Sequence, residues 1–288
     1  MTSLVVFTDL DGCLLDEETG ACEAAGPALQ ALRRAEVPLV LCTGKTRAEV
    51  EPLHRQLGLE GPYVVENGGA IAIPASARGW KAPLVPRGGG PLVVPLGAPR
   101  ARLVEALAEI AAEVGVSVRG FADLTVEEVG EHAGLTMEAA RLAAAREYDE
   151  PFLIEGGVPT GAAESALAAA AERRGLRVTW GGRFHHLAGP ADKGRAVRQL
   201  LALHAGPVSS VALGDSANDL TMLEAVDRPV LVPRPDGNVA EVLARALPSA
   251  ERAPWPGPRG WNEAVLAVLA DPPPGTAPEG DRTGADRR

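Results

Sequence analysis

The sequence predicts an α/β fold in which a parallel-sheet core is interrupted by an inserted α/β segment. Two observations support this prediction. Strand patterns alternate with helix patterns in the first and last parts of the 288-residue chain, as they do in β–α–β units with parallel strands. A Pro- and Gly-rich stretch, residues 81–97, breaks this alternation, which returns only near residue 187. We therefore predict a core of residues 1–79 and 187–270, an inserted domain of residues 80–186 and a disordered tail of residues 271–288.

The elements of the core follow from apolar runs and the breaks between them. The first run, LVVFTDL, is continuously apolar up to its acidic end, which is typical of a strand buried on both faces. After it, the first core segment is predicted to contain helices at 26–35 and 47–57, strands at 37–42 and 63–65, and a short hairpin in ENGGAIAIP. The second core segment is predicted to contain the helix ADKGRAVRQLLALHA, the strand SSVALG, the helix DLTMLEAV and the strand RPVLV.

The inserted domain is predicted to have helices and strands of its own. They are helices at 101–114, 138–146 and 162–174, and strands at 116–119, 152–154, 177–179 and 184–187. Aromatic residues make up only 3% of the chain, so Ala, Leu and Val must fill much of the interior.

Composition limits the partners and the location. The formal net charge of −10 argues against a nucleic acid or an anionic membrane as the main partner, so an anionic substrate would need a local pocket of positive charge. No run of about 18 apolar residues predicts a membrane span, and MTSLVVFTDLDG lacks the apolar core of a secretory signal. The three cysteines, Cys13, Cys22 and Cys42, lack metal-binding spacing, and we predict reduced thiols in a cytoplasmic protein. The oligomeric state is left open.

Acidic residues follow two predicted strands at the point where each strand ends. Asp9 and Asp11 follow the first strand, and Asp215 and Asp219 follow SSVALG. Taken separately, these residues also fit an Asp- and Gly-rich turn and a helix-capping cluster. Because the carboxyl ends of parallel strands lie at one edge of a sheet, we expect the two groups to converge there. Carboxylates so close would repel one another without a hard cation, so the sequence predicts an Mg²⁺ site.

The stretch PLVLCTGKTRAEV places Gly44-Lys45-Thr46 between a predicted strand and a predicted helix, as at the end of a P-loop. A P-loop needs a glycine five residues before Gly44, where this chain has Leu39. The glycine-rich backbone that wraps a triphosphate is therefore missing. What remains is Thr43, Gly44 and Lys45 at a strand end before a helix N-terminus, a place that favours an anion.

Together these motifs resemble, in order and spacing, the four motifs of the haloacid dehalogenase superfamily of phosphatases. The matching residues are Asp9-x-Asp11-Gly12, Thr43-Gly44, Lys193 and Gly214-Asp215-x₃-Asp219. The resemblance covers residues 1–79 and 187–270. ENGGA and the long insert before Lys193 resemble the subgroup with a large α/β cap. The resemblance therefore implies a Rossmann-like core, with residues 80–186 as the cap domain.

The resemblance also implies a role for each motif residue. Asp9 would be the nucleophile that takes up the phosphoryl group, and Asp11 would act first as acid and then as base. Lys193 would neutralise the charge of Asp9 and of the phosphoryl group. Mg²⁺ would be bound by Asp9, Asp215 and the backbone carbonyl of Asp11. The supporting residues are Thr43, Gly44 and Asn218 for the phosphate group and Asp219 for the metal site.

The inserted segment would select the substrate. REYDEPF and GGRFHHLAG, with the lysine that follows CTG, are similar to segments of the mannosyl-3-phosphoglycerate phosphatase family. That resemblance implies a glycosyl-phosphoglycerate substrate, whose carboxylate needs a cation and whose hexose needs polar groups. The candidates for the carboxylate are Arg146, Arg183 and Lys45, and those for the hexose are His185, His186 and Glu147. These polar residues also fit solvent-exposed positions on a cap.

Several functions remain open at this point. The nearest alternatives are a glucosyl-3-phosphoglycerate phosphatase and a broad-specificity sugar phosphatase, and a phosphomannomutase shares the same motifs. A catalytically silent anion-binding module is the alternative of another class. Because simple binding would not place two carboxylates against a phosphate, Asp9 and Asp11 favour an enzyme. The expected enzyme is an Mg²⁺-dependent phosphoric monoester hydrolase that acts on mannosyl-3-phosphoglycerate.

Overall fold

The computed structural model describes residues 3–81, 90–155, 160–181 and 183–272. Their strands are β1 (Ser3–Thr8), β2 (Leu39–Leu41), β3 (Tyr63–Val65), β4 (Ala70–Ile73), β5 (Leu92–Pro95), β6 (Ser117–Gly120), β7 (Asp149–Glu155), β8 (Arg177–Gly181), β9 (Phe184–Ala188), β10 (Val208–Gly214), β11 (Arg228–Leu231) and β12 (Glu251–Arg252). Their α-helices are α1 (Gly26–Arg34), α2 (Arg47–Gln56), α3 (Arg100–Val114), α4 (Val126–Ala133), α5 (Met137–Ala144), α6 (Thr160–Glu172), α7 (Lys193–Leu203), α8 (Leu220–Leu223), α9 (Glu241–Ala246) and α10 (Gly257–Ala270). The predicted tail, 271–288, lies outside the described residues from residue 273 onward.

The chain forms two compact units. The first comprises Met1–Leu41, Arg78–Lys81 and Val197–Arg288, and the second comprises Cys42–Ala77 and Ala82–Ala196. The predicted core thus contributes residues to both units. The predicted division into a core and a cap stays a prediction about the domains.

The first unit is built on a five-stranded sheet with the strand order β12-β11-β10-β1-β2. All neighbouring strands in it run parallel. The central strands β1 and β10 are almost completely buried, which explains their continuous apolar sequences. Thr8, the last residue of β1, lies opposite Leu213 on one side and Leu41 on the other. The residues that follow β1 and β10 therefore emerge side by side at one edge of the sheet.

The helix α10 supports this edge, although it is absent from the predicted elements. Its Trp261 is fully buried and donates its indole N–H to the hydroxyl of Thr8 at 2.9 Å. The side-chain oxygen of Asn262 accepts a hydrogen bond from the amide of Ala28, near the start of α1, at 2.9 Å. The helix is thereby attached both to α1 and to the end of β1.

The second unit contains two antiparallel sheets, with the strand orders β3-β4-β5 and β6-β7-β9-β8. Helices α3 and α6 cover one face of the four-stranded sheet, where Leu103 and Leu167 pack with Phe152. Side chains of the opposite face, such as Phe184, pack with Ala140 of α5. The two faces of β9 therefore have different surroundings, which matters for the two histidines of that strand.

Most predicted elements agree with the structure to within a few residues, but some do not. The stretch 92–95 forms β5 instead of a loop, because it pairs with β4 over four residues despite Pro95. The predicted helix DLTMLEAV is reduced to a 3₁₀ turn and the short α8. The elements α4, α9, β12 and α10 were not among those predicted.

Two predictions from composition concern membranes and cysteines. Among the described residues, the helices are too short or too polar to cross a lipid bilayer. None of the three cysteines, all of which are described, forms a disulfide bond. Cys13 and Cys42 are buried.

Candidate active site

Two carboxylates meet at the edge of the first unit's sheet. Asp9 follows β1 and Asp215 follows β10, and these strands are direct neighbours. Both residues are buried, with exposed fractions of 6% and 8%. Atoms of Asp9, Cys13 and Asp215 that could bind a metal all lie within 4.8 Å of one another. The structure thus brings together Asp9 and Asp215, as the strand ends predict.

The loop after β1 is shaped to fit against Asp215. Gly12 has a φ of +78°, which favours glycine, and a Cβ atom there would lie 2.8 Å from Asp215 Oδ2. Cys13 is fully buried, and its thiol donates to Asp215 Oδ1 across 3.6 Å. Asp11, in contrast, is exposed. The two aspartates of the first motif therefore lie in different environments, one buried beside Asp215 and one in contact with solvent.

The backbone of Asp9 is held from two sides. Its amide donates to the carbonyl of Leu213 at 3.0 Å, which continues the pairing of β1 with β10. Its carbonyl accepts the hydroxyl proton of Thr8 at 2.7 Å, and that hydroxyl accepts in turn from Trp261. All of these groups are buried, so Asp9 occupies a rigid position.

The loop after β10 is organised by Asp219. This residue is fully buried, and its Oδ2 accepts hydrogen bonds from the amides of Asp215 at 3.1 Å and Ser216 at 3.0 Å. Asp219 therefore holds the loop that presents Asp215. Its predicted place among the metal ligands stays a prediction, as does the predicted phosphate contact of Asn218, which is exposed.

In the second unit, Thr43, Gly44 and Lys45 lie directly before α2. Thr43 is buried, and its hydroxyl oxygen accepts from the amide of Lys45 at 3.1 Å. Thr46 caps α2: its hydroxyl accepts from the amide of Glu49 at 3.2 Å, and the Glu49 carboxylate accepts from the amide of Thr46 at 2.8 Å. The segment therefore ends at a helix N-terminus, where an anion is favoured.

A strained turn follows β3 and supports this segment. Glu66 and Asn67 have φ values of 50° and 53°, which are uncommon for residues other than glycine. Their amides donate to the carbonyls of Lys45 at 3.0 Å and Thr43 at 2.9 Å, respectively. These hydrogen bonds help to hold the turn in a conformation that would otherwise be unfavourable.

The same turn also contacts the chain just before Lys193. Gly68 has a φ of +94°, and a Cβ atom there would collide with the carbonyl oxygen of Asp192. Lys193 is the first residue of α7, and its side chain is fully buried. A buried ammonium is stable only beside negative charge, as a lysine that neutralises an anion would be. The 66–68 turn is thus hydrogen-bonded to Thr43 and lies in close contact with the backbone just before Lys193.

Arg146, a candidate for the substrate carboxylate, lies beside the same segment. Its Nη1 donates to the carbonyl of Gly44 at 2.9 Å and to Asp149 Oδ2 at 2.9 Å. Only 10% of the Arg146 side chain is exposed. The structure therefore brings Arg146 to Gly44, but with its charge already opposed by a carboxylate.

Two further candidates make contacts within the second unit. Arg183 is exposed, and its Nη1 donates to the carbonyl of His132 at 3.2 Å, near the C-terminus of α4, where a cation is favoured. Glu147 forms an ion pair with Arg47 at 2.9 Å. Their predicted contacts with the substrate stay predictions.

The two consecutive histidines lie on opposite faces of β9. His185 is 5% exposed, lies against the Phe152 ring at 5.3 Å between ring centroids, and has its Nε2 2.9 Å from a carboxylate oxygen of Glu164. It therefore belongs to the face covered by α3 and α6, and its predicted hexose contact stays a prediction. His186 points to the other face, where its Nδ1 lies 2.7 Å from Asp149 Oδ2.

Comparison with known proteins tests the resemblance seen in the motifs. Residues 6–79 and 179–251 match the family model described as haloacid dehalogenase-like hydrolase. The chain belongs to the haloacid dehalogenase-like hydrolases. The predicted superfamily and its α/β fold class are therefore confirmed.

Individual relatives and a solved structure each cover between 79% and 93% of this chain. A Methanococcoides burtonii protein named glucosyl-3-phosphoglycerate/mannosyl-3-phosphoglycerate phosphatase is 41% identical, over 92% of this chain and 97% of its own. A Pyrococcus furiosus mannosyl-3-phosphoglycerate phosphatase is 36% identical, over 79% of this chain and 90% of its own. The crystal structure of a haloacid dehalogenase-like hydrolase from Bacteroides thetaiotaomicron matches with a TM-score of 0.63 at 19% identity, over 93% of this chain and 100% of its own. This last likeness concerns the fold.

The donor atoms in the first unit fit the Mg²⁺ ion that haloacid dehalogenase-like phosphatases generally use. Asp9 and Asp215 offer carboxylate oxygens, the hard ligands that Mg²⁺ prefers. Cys13 is a soft donor, and its thiol already donates to Asp215, so we expect it to orient that carboxylate. Two buried carboxylates at this separation also need a positive charge between them.

Glu66 is a supporting residue that was not among the predicted site residues. Its Oε1 accepts from the amide of Glu147 at 2.9 Å, and its Oε2 accepts from that of Tyr148 at 2.8 Å. Its signal in the sequence is its position in ENGGA, the segment that resembles the subgroup with a large α/β cap. Burial raises the pKa of Glu66 from 4.5 to about 7, although the charge of Arg146 and the two amides act in the opposite direction.

This raised pKa predicts a pH-dependent stability. Because the native state holds the Glu66 proton more tightly than the unfolded state, the contribution of Glu66 to the free energy of unfolding should fall as the pH rises from 4.5 to about 7. The Glu66→Gln variant keeps the shape but cannot ionise. Its stability relative to the wild type should therefore rise between pH 5 and pH 8, by up to about 3 kcal/mol, as measured by urea denaturation. The same substitution at the exposed Glu105 is the matched control, and a pH-independent difference for Glu66→Gln would contradict the prediction.

Proposed function

We propose that this protein is a phosphoric monoester hydrolase that converts mannosyl-3-phosphoglycerate into mannosylglycerate and inorganic phosphate. The observation that carries the proposal is the contrast between Asp9 and Asp11. Asp9 is buried and rigidly held beside Asp215, as suits a nucleophile, and Asp11 is exposed two residues later, as suits proton transfer. The names of the relatives suggest the substrate.

The reaction would proceed in two steps through a phosphorylated Asp9. In the first, a carboxylate oxygen of Asp9 attacks phosphorus and the bond from phosphorus to the glycerate oxygen breaks. The carboxyl group of Asp11 donates its proton to that oxygen, so mannosylglycerate leaves as an alcohol. In the second, the Asp11 carboxylate accepts a proton from water, the water oxygen attacks phosphorus, and the bond to Asp9 breaks. Inorganic phosphate leaves, and both aspartates return to their starting states.

Thr43, Gly44, Lys193 and Asn218 would bind the phosphoryl oxygens. The Thr43 hydroxyl accepts from the amide of Lys45, so its own proton is available to a phosphate oxygen. The amide of Gly44 and the ammonium of Lys193 would supply the other hydrogen bonds and positive charge, with Asn218 as a further contact. These donors suit the negative charge that builds up on the group during transfer.

The metal site would be formed by residues of the first unit. Asp9, Asp215 and the backbone carbonyl of Asp11 would hold Mg²⁺, and Asp219 would fix the loop that carries Asp215. When bound, the ion supplies positive charge that neutralises the phosphoryl oxygens and the nucleophile.

Substrate selection would depend on residues around the second motif and in the predicted cap. Lys45 and Arg183 are the proposed cations for the glycerate carboxylate, since both are at least partly exposed. His185, His186 and Glu147 remain the proposed polar groups for the hexose. The proposed partner is thus a small phosphorylated glycoside, without nucleic acid or membrane, and the proposed location is the cytoplasm.

The glucosyl analogue is a second candidate substrate. The Methanococcoides burtonii protein and a Persephonella marina protein, 36% identical over 92% of this chain and 97% of its own, are both named for glucosyl and mannosyl substrates. The two hexoses differ only in the direction of one hydroxyl group. A comparison of kcat/KM for the two glycosides decides whether one or both are accepted.

The experiment that tests the proposed substrate uses its fragments. 3-Phosphoglycerate lacks the hexose, and mannose 6-phosphate lacks the carboxylate. If both parts are recognised, kcat/KM for mannosyl-3-phosphoglycerate should exceed that for either fragment by at least about 100-fold, which is about 2.7 kcal/mol. Release of inorganic phosphate, measured for all three compounds under the same conditions, gives these ratios.

Variants at the proposed cations test whether these residues cause the preference for the full glycoside. Lys45→Gln and Arg183→Gln should reduce the preference for the full glycoside more than they slow the hydrolysis of an aryl phosphate. Arg119→Gln, which removes a half-exposed ion pair with Glu128, should change neither rate. Similar kcat/KM values for the glycoside and both fragments would identify a broad sugar phosphatase instead.

A further inference from the structure

Two segments of the second unit are joined by hydrogen bonds that have no role in the reaction proposed above. One segment, residues 43–47, contains the predicted phosphate-binding residues, and the other, residues 142–149, contains REYD. The Thr46 hydroxyl donates to the carbonyl of Leu142 at 2.8 Å, and Arg47 pairs with Glu147. Between these contacts lies the hydrogen bond from Arg146 to Gly44.

Arg146 acts on one particular peptide group of the 43–47 segment. Its Nη1 lies 2.9 Å from the carbonyl oxygen of Gly44. The amide of Lys45 belongs to the same planar peptide and points to the opposite side. That amide donates to the hydroxyl oxygen of Thr43 at 3.1 Å. The orientation of a single peptide therefore connects the guanidinium of Arg146 with the hydroxyl of Thr43.

Asp149 holds the guanidinium in this position. Its Oδ2 accepts from Arg146 Nη1 at 2.9 Å and from His186 Nδ1 at 2.7 Å, and only 3% of its side chain is exposed. Burial alone would raise the pKa of Asp149, but the charges of His186 and Arg146 outweigh burial and lower it. Asp149 is therefore a carboxylate near neutral pH, and its negative charge balances the positive charge of Arg146.

These contacts make Arg146 poorly suited to bind a carboxylate of the substrate. Its side chain is almost buried, and its charge is already opposed by Asp149 at hydrogen-bond distance. Its Nη1 also donates to the backbone carbonyl of Gly44, which lies in the segment predicted to bind phosphate. The geometry suits a group that fixes its neighbours.

We propose that Arg146 is a positioning residue that orients the Thr43 hydroxyl through the Gly44–Lys45 peptide, and that Asp149 holds Arg146 for this purpose. The inference rests on the proposed function in one respect, namely that Thr43 binds the phosphoryl group. It replaces the predicted role of Arg146 as the cation for the glycerate carboxylate.

The first test compares two substrates that share only the phosphate group. 4-Nitrophenyl phosphate has neither a carboxylate nor a hexose. Arg146→Gln should lower kcat for this compound and for mannosyl-3-phosphoglycerate by the same factor, about 10- to 100-fold, and should change KM by less than about threefold. Asp149→Asn should act in the same direction on both. A loss confined to the glycoside, and expressed mainly in KM, would show that Arg146 binds the substrate and would overturn the proposal.

The second test is a double-mutant cycle with Thr43→Val. That substitution alone should cost about 10²- to 10³-fold in kcat, because it removes one donor to the phosphoryl group. If Arg146 acts through Thr43, adding Arg146→Gln to Thr43→Val should cost less than about threefold more. A full multiplication of the two losses would overturn the proposal. Arg119→Gln is the matched control, and its small effect should be the same in both backgrounds.

The outcomes separate this inference from the function on which it rests. If Thr43→Val hydrolyses both substrates at the wild-type rate, the proposed phosphate contact and the inference are both wrong. If Thr43→Val is impaired and the losses multiply, only the inference is wrong. Circular dichroism checks that each variant is folded. Should Arg146→Gln fail to fold, Arg146→Lys and Asp149→Asn enter the same cycle, with the same expected non-additivity.

Discussion

Replacing Asp9 by Asn is expected to remove essentially all phosphatase activity and to leave the fold intact. The amide of Asn has the shape of the carboxylate but is too weak a nucleophile to form the phosphorylated intermediate. Loss of one nucleophile commonly costs about 10⁴- to 10⁶-fold in kcat. The fold should persist because the backbone of Asp9 is held by Leu213 and Thr8, through contacts that do not involve its side chain. Phosphate release and thermal unfolding measure the two effects separately.

A matched variant shows whether the effect belongs to Asp9. Asp16 lies in the same loop, and its carboxylate accepts hydrogen bonds from the amides of Glu18 and Thr19 at the surface. Asp16→Asn should therefore keep near-normal activity. If Asp9→Asn stayed within tenfold of the wild type, Asp9 could not be the nucleophile.

The part of the site that the sequence predicts best is the part that depends on strand ends. Parallel strands end at a common edge, so residues after β1 and β10 must be neighbours once the strands pair. This is why Asp9 and Asp215 could be placed together from two short motifs. The same reasoning could not identify Cys13, because a single cysteine in a loop carries no directional information.

Supporting residues were harder to predict because their partners are distant in sequence. Trp261 donates a hydrogen bond to Thr8, from which it is separated by 253 residues in the sequence, and no local sequence pattern predicts such a contact. Glu66 has a positive φ, which its residue type does not signal, and its carboxylate accepts from amides more than 80 residues away. Both residues fix the backbone of a neighbouring motif.

The two histidines of β9 illustrate a limit of a different kind. Side chains alternate between the faces of a strand, so His185 and His186 could not both face one side. The sequence shows two adjacent histidines but not the register that assigns each to a face. The pairing of Phe152 with His185 supplies it and places His185 in the interior covered by α3 and α6. The role of Arg146 could not be predicted without the structure either, since it depends on the position of Asp149 at the start of β7.

Removal of divalent cations is expected to abolish activity, and added Mg²⁺ is expected to restore it. Asp9 and Asp215 are both buried, and their carboxylates repel each other unless a cation lies between them. Without the ion, the charge on the phosphoryl group would also be less well neutralised. Phosphate release should therefore fall to background in EDTA. Full activity in a preparation shown by elemental analysis to be metal-free would contradict the proposed site.

Stability provides a readout of the same site that does not depend on activity. Because Mg²⁺ binds the native carboxylates, it should raise the Tm of the wild type in a concentration-dependent way. Asp215→Ala removes one ligand and, with it, the repulsion between the two carboxylates, so its Tm should respond little to either Mg²⁺ or EDTA, and its kcat should fall sharply. Asp236 is an exposed aspartate of the same unit, and Asp236→Ala should keep the wild-type response. If Mg²⁺ raised the Tm of Asp215→Ala as much as that of the wild type, the ion would bind elsewhere, since Asp9 and the backbone carbonyl of Asp11 offer too few ligands to hold it at the same affinity.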